Sequence, residues 1–89
     1  MPCYFYILFS DSKGKFYIGH TCDNLSERLR KHNSQHKGFT GGVGDWTIVY
    51  SEEYREKTRA YQREREVKAW KGRKRIERLI GSASSRHPG

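Results

Sequence analysis

The chain contains no apolar run long enough to span a bilayer, and no signal-peptide pattern precedes Tyr4. Only 34% of its 89 residues are hydrophobic, which excludes a thick aliphatic interior. The length allows one small domain and excludes two independent cores. Internal repeats are absent. Cysteine is nearly so: Cys3 and Cys22 are the two present, and they form neither a CxxC pair nor a zinc-ligand spacing. With no secretory pattern, they are expected as reduced thiols in a cytoplasmic protein, a disulfide between them being the less favoured alternative. Acidic residues are in short supply as well, 10 Asp and Glu against 18 Lys and Arg, for a formal net charge of +8.

What is present is aromatic and basic. Two Trp, six Tyr and four Phe each bury a large area and compensate for the thin aliphatic content. The positive charge is uneven, with six basic and four acidic residues up to Val49 and twelve and six from Tyr50 onward. A basic half on a small domain suggests a polyanion partner, usually nucleic acid. Lys and Arg that merely solvate helices would give the same count.

The stretch from Tyr4 to His32 is the most structured part of the pattern. Tyr4, Tyr6 and Leu8 alternate with Phe5, Ile7 and Phe9, so both faces of this strand are large and apolar, as in a central strand covered on two sides. Asp11-Ser12-Lys13-Gly14 is turn chemistry, and Phe16–His20 is expected to pair back as a hairpin. Gly19 closes that strand where a missing Cβ permits a close approach. Asn24-Leu25-Ser26-Glu27 reads as an N-cap with an acidic third residue. It starts a helix to about Asn33 with Leu25 and Leu29 inward, and Arg28 and His32 one turn apart on the next stripe.

Residues 34–44 hold four glycines and no hydrophobic period, the pattern of a long loop. Trp46–Tyr50 is β-branched and aromatic, a third strand. Thr58 offers a cap for a helix to about Lys71, with Ala60 and Val67 inward and Glu64 on the same face. Gly72 interrupts, and Arg73–Ile80 forms a short last helix held by Ile76, Leu79 and Ile80. The expected fold is α+β: a small three-stranded antiparallel sheet, an N-terminal hairpin plus one strand, flanked by about three helices. One domain spans 1–80, and 81–89 is expected as a disordered tail.

Tyr6, Tyr17, Arg28, His32 and Glu64 form the candidate catalytic set. Phosphodiester hydrolysis needs these types: a carboxylate for a hydrated Mg²⁺, a guanidinium against growing phosphate charge, and a His or Tyr to activate water. A Tyr base needs help from a cation or an imidazole, its reference pKa being about 10. Taken singly, each has an ordinary structural explanation: core tyrosines with surface-reaching hydroxyls, a solvated arginine, a histidine at a helix C-terminus. The inward Glu64 is the least ordinary.

Phe5-Tyr6-Ile7, then Tyr17-Ile18-Gly19, then Arg28, His32 and Glu64, resembles the GIY-YIG nuclease superfamily, in particular its small stand-alone, excinuclease-like bacterial proteins. The stronger signals are Tyr-x-Gly-x-Thr-x-x-x-Leu-x-x-Arg-Leu-x-x-His from Tyr17 to His32, and Ala60-Tyr61-Gln62-Arg63-Glu64 followed by Val67-Lys68-x-Trp70-Lys71. The resemblance implies one divalent metal, Mg²⁺ or Mn²⁺, held by Glu64, with Arg28 against the scissile phosphate. It implies tyrosines lining the site: Tyr6 is assigned as base, Tyr17 as positioner of water or phosphate, and His32 as proton relay or as polariser of a tyrosine hydroxyl. His20 stands where many relatives carry Lys or a small residue.

The expected activity is a divalent-metal-dependent endonuclease using a one-metal mechanism, with DNA as the expected nucleic acid. The alternative is a catalytically weak or inactive nucleic-acid-binding module of the same fold. Contacts to nucleic acid are expected from His20, Lys31, Arg63, Lys68, Lys71, Arg73 and Lys74. No membrane partner is expected, and the chain is expected as a monomer or weak homodimer. Homing and repair relatives carry a separate DNA-binding domain, which is not expected in this chain.

Overall fold

The computed structural model describes residues 2–34, 44–70 and 72–85. The expected loop over 34–44 lies almost entirely outside them, as does Lys71. Three strands, β1 (Cys3–Ser10), β2 (Lys15–Thr21) and β3 (Trp46–Tyr54), and three helices, α1 (Leu25–Ser34), α2 (Lys57–Lys68) and α3 (Arg73–Ser85), follow in the order β1-β2-α1-β3-α2-α3. The sheet is antiparallel with β1 in the middle, order β2-β1-β3. The α+β architecture follows the hydrophobic alternation read from the sequence.

The two-faced apolar pattern of β1 has a direct structural cause. Phe5 and Ile7 are buried on one face with Val67 of α2, and Ile76, Leu79 and Ile80 of α3 pack against them. Tyr6 and Leu8 are buried on the other with Trp46, under Leu25 and Leu29 of α1. Each such side chain fully buried contributes roughly 1.5–3 kcal/mol, so β1 anchors both layers. A register shift between Ile7 and Leu8 against β3 marks a bulge beside the buried Tyr6.

The hairpin closes as its residues dictate. Gly14 takes φ +62°, open to glycine at little cost, and its N–H donates to the Ser10 carbonyl at 2.7 Å. The Ser10 hydroxyl is buried and donates to Asp45 Oδ1 at 2.7 Å; the Ser12 N–H donates to Oδ2 at 2.8 Å, tying the turn to the start of β3. Asn24 caps α1 as expected, its Oδ1 accepting from the N–H groups of Ser26 (2.8 Å) and Glu27 (3.3 Å). At the other end, Asn33 accepts from the Trp46 N–H at 2.8 Å and donates to its carbonyl at 3.1 Å. The C-terminal end of α1 is therefore fixed to the sheet.

Four expectations are corrected. Cys3 and Cys22 are joined in a disulfide, not reduced: Tyr4 pairs with Thr21, which sets the two cysteines beside each other across the hairpin. Strand β3 continues four residues beyond Tyr50, because Glu52 and Glu53, poor strand formers, are stabilised by their cross-strand positions opposite Phe5 and Tyr4. The cap of α2 is Glu56 without a side-chain cap bond, with Thr58 inside the first turn, and the helix stops at Lys68. Helix α3 runs on past Ile80 through Ser85, so residues 81–85 of the expected tail are helical. Extending an anchored helix costs far less than nucleating one, and Gly81-Ser82-Ala83-Ser84-Ser85 offers no proline to stop it. Residues 86–89 of the expected tail lie outside the described residues.

Candidate active site

The buried phenol of Tyr6 is the centre of the site. It projects from β1 opposite Gly19 of β2, and a Cβ at Gly19 would lie 2.8 Å from the Tyr6 hydroxyl and 3.0 Å from Tyr17 Cε1. The glycine thus makes room for the two rings, whose centroids are 6.3 Å apart in a stacked arrangement. Gly19 lies within β2 rather than ending it, and the group that approaches it is the Tyr6 hydroxyl.

Helix α1 brings Arg28 and His32 to the same hydroxyl. Arg28 Nε donates to Tyr6 Oη at 3.2 Å, and His32 Nε2 lies 3.0 Å from that oxygen. The His32 ring also packs 4.6 Å from the Tyr17 ring. An oxygen that accepts from Arg28 has its own proton free to donate to His32. His32 can take it as a neutral imidazole, since burial, reinforced by the nearby Arg28 charge, lowers its pKa to about 4. Tyr6 is itself pushed above the usual phenol value by burial, against the opposing pull of Arg28. At neutral pH the cluster is a cation, a phenol and an uncharged imidazole. Among the described residues, the Arg28 Nη groups have no hydrogen-bond partner.

Glu64 approaches from the other side of the sheet. Its side chain is 12% exposed; Oε1 lies 2.6 Å from His20 Nδ1, and Oε2 accepts from Lys68 Nζ at 2.9 Å. Burial raises its pKa, but the hydrogen bonds from His20 and Lys68 outweigh that and hold it below the usual carboxylate value. Glu64 is ionised at neutral pH. It turns toward β2 as its place beside Ala60 and Val67 predicts, and its charge is felt at the Tyr6 phenol. Strand β2 is the sheet edge, with Tyr17 and Gly19 on the α1 side and His20 on the α2 side. A groove of about 310 Å³ at that edge is lined by Phe16, Tyr17, Ile18 and Lys68.

Among the described residues, no three His, Cys, Asp or Glu side chains cluster as a metal cage. Glu64 is the donor suited to a hydrated cation: it is ionised, and its outer oxygen is held by a lysine that is 53% exposed and can swing away. An ion such as Mg²⁺ that keeps most of its waters fits one such carboxylate.

The residues expected to contact nucleic acid are placed unevenly. His20 and Lys68 flank Glu64, and Lys31 and Lys74 are exposed on α1 and α3. Arg73 secures the hairpin, donating to the Gly14 carbonyl at 2.9 Å with its guanidinium 5.0 Å from the Phe16 centroid. Arg63 is turned away from the site. It donates to Glu52 Oε1 at 3.1 Å and Glu66 Oε1 at 2.8 Å, and its guanidinium lies near the rings of Phe5 and Trp70. The same Glu52 accepts from the Tyr50 and Tyr54 hydroxyls, at 2.5 and 2.6 Å. Sequence reading missed this network, although Tyr50, Glu52 and Tyr54 alternate at the spacing that puts them on one strand face.

The family model described as GIY-YIG catalytic domain matches residues 2–77. Among solved structures, the solution NMR structure of the UPF0213 protein BH0048 from Bacillus halodurans is similar, with 32% identity and a TM-score of 0.57 over 91% of this chain and 84% of that one. No curated protein matches the chain.

Proposed function

The chain belongs to the GIY-YIG family, and on that basis we propose that it is a divalent-metal-dependent endonuclease that hydrolyses phosphodiester bonds of DNA. The observation that carries the reading is the three-way contact at Tyr6 Oη, with Arg28 at 3.2 Å and His32 at 3.0 Å, across an edge strand from an ionised Glu64. A purely structural tyrosine needs one partner for its hydroxyl. This one lies between a cation and an uncharged base, an arrangement that moves a proton.

In the proposed mechanism the scissile phosphate binds the free Nη groups of Arg28, which stabilise the charge that grows on its oxygens. Tyr6 Oη takes a proton from the attacking water as its own proton passes to His32 Nε2. Phosphate bound at Arg28 offsets the positive charge that helps hold the imidazole pKa down, so His32 becomes a better acceptor when substrate is present. Tyr17 packs against both His32 and Tyr6 and fixes the phenol that faces the water. Glu64 would hold Mg²⁺ or Mn²⁺, which supplies Lewis-acid stabilisation of phosphate and leaving oxygen. Lys31, Lys68 and Lys74 supply non-specific phosphate contacts. The protein is proposed to act in the cytoplasm, as a monomer or weak homodimer.

The test is a cleavage assay on branched, single-stranded and duplex DNA with Mg²⁺ or Mn²⁺. Wild type is expected to cut at least one substrate, and Arg28→Ala to bind it but not cut it. Cleavage by wild type that Arg28→Ala reproduces overturns the proposal. Binding by wild type without cleavage of any substrate favours the inactive binding module.

A further inference from the structure

Among the described residues, Tyr61 is the one large hydrophobic side chain that is exposed, at 44%. Its position is not arbitrary. Tyr61, Glu64 and Lys68 stand three and four residues apart on α2, so they share one stripe facing the β2 edge. Along the helix axis Tyr61 is about 4.5 Å from Glu64. The ring packs at 5.2 Å and 55° against His20, the residue bonded to Glu64. The Arg65 guanidinium lies 5.8 Å from its centroid.

We propose that Tyr61 is a stacking platform for an unpaired nucleobase next to the scissile phosphate. This rests on the nuclease reading of the same site and adds its substrate class: strands whose bases are free at the cut, as in single strands, flaps and frayed ends. A base in a duplex is stacked on its neighbours and cannot also lie on a tyrosine ring; an unpaired base can, and its identity matters little because every base offers a π-face. The surroundings suit a nucleic acid strand better than another occupant. His20 and Tyr61 form an aromatic corner, and Arg65 and Lys68, one and two turns further along α2, offer cations for the adjoining phosphates. Arg65 is exposed, so a base displaces it from the ring while its charge stays within reach of the backbone. A protein partner or second copy would want a contiguous apolar patch, whereas Lys57, Thr58 and Arg65, the neighbours of Tyr61 one turn away on α2, are polar and exposed.

The experiment measures binding, not cleavage. Single-stranded oligonucleotides of DNA and RNA and a blunt DNA duplex, each with one 2-aminopurine, are titrated with the protein in EDTA. Wild type is expected to quench 2-aminopurine in the single strands as the base stacks. Tyr61→Ala should weaken single-strand binding about five-fold or more and abolish most of the quench, with less than a two-fold change for the duplex. Tyr61→Phe should behave as wild type, because the ring and not the hydroxyl does the stacking. Equal single-strand affinity and quench in Tyr61→Ala and wild type overturns the proposal. So does a Tyr61→Ala defect accompanied by a changed oligomeric state, which would make the residue an interface. Failure of wild type to bind any of the three probes is a different result, and overturns the nucleic-acid reading of the whole site. The same loss on Tyr61→Ala is expected in the DNA and RNA arms, because the ring stacks on the base and not on the sugar; a loss confined to one of them overturns base stacking as the contact.

Discussion

At the scale of single residues, Gly19 and His32 set the space and the charge around the Tyr6 hydroxyl. Gly19 lies where any Cβ would be 2.8 Å from the Tyr6 hydroxyl. Tyr6 is buried against Gly19 and cannot retreat cheaply. Gly19→Ala is therefore expected to fold and bind DNA while losing at least 100-fold in cleavage rate, consistent with the cost of a misplaced reacting group; near-wild-type turnover would contradict this. His32 is the second. Its folded pKa of about 4 lies below the usual 6.5, so the fold binds fewer protons than the unfolded chain. The sign is that of a depressed group: stability is full above pH about 6.5 and is lost as pH falls toward 4, by on the order of 3 kcal/mol. Urea midpoints measured from pH 7 to pH 4 should fall more steeply for wild type than for His32→Gln. Parallel curves would mean that His32 is not held neutral. These pieces were legible to different degrees. Arg28 and His32 follow from helical spacing, but the Tyr6 contact depends on which strand faces α1, which a one-residue register change would reverse.

At the scale of elements, α2 is fixed to the sheet at two opposite points. Glu64 reaches β2 through His20, and Arg63 reaches β3 through Glu52. Between them Ala60 and Val67 pack on the sheet. The Glu52 carboxylate accepts from two tyrosines and one arginine at 20% exposure, so removing it leaves a largely buried guanidinium without that partner. Glu52→Ala is expected to cost roughly 2–4 kcal/mol in chemical denaturation, and a loss below about 0.5 kcal/mol would show the network to be ornamental. Sequence alone places Arg63 among the bases of α2. Glu66, one turn along the helix, accepts from it, and the extra length of β3 brings Glu52 to the same guanidinium. Helix α3 teaches the same lesson at its end: local composition marks Gly81 as a stop, while the packed turn before it, with Ile76, Leu79 and Ile80 against the core, carries the helix on.

At the scale of the whole molecule, the charge read from the sequence becomes a surface once Arg63 and Arg73 are committed to internal contacts. Lys31, Lys68 and Lys74 remain among the expected contacts, with Arg65 added beside Tyr61. The log Kd for duplex DNA should rise linearly with log salt, and Lys74→Ala should reduce the slope by about 1. An unchanged slope removes Lys74 from the contact surface. The hairpin carries a covalent tie as well, Cys3–Cys22. The strand pairing already brings those positions together, so its contribution lies at the low end for disulfides: Cys22→Ser is expected to lower stability by about 2 kcal/mol, without change in cleavage.

The proposed enzyme depends above all on an ionised carboxylate on α2, which completes a site whose other parts lie on β1, β2 and α1. Its role is read most directly from the single-turnover cleavage rate of Glu64→Gln beside wild type, on the same DNA at saturating protein, with Kd measured in the same samples. Glutamine keeps the shape and loses the charge. The expected rate is at least about 1,000-fold lower with Kd within about three-fold of wild type, on the order of the loss seen when one charge-stabilising group is removed. Cleavage by Glu64→Gln within about ten-fold of wild type would contradict a metal-holding role for Glu64 and the mechanism built on it.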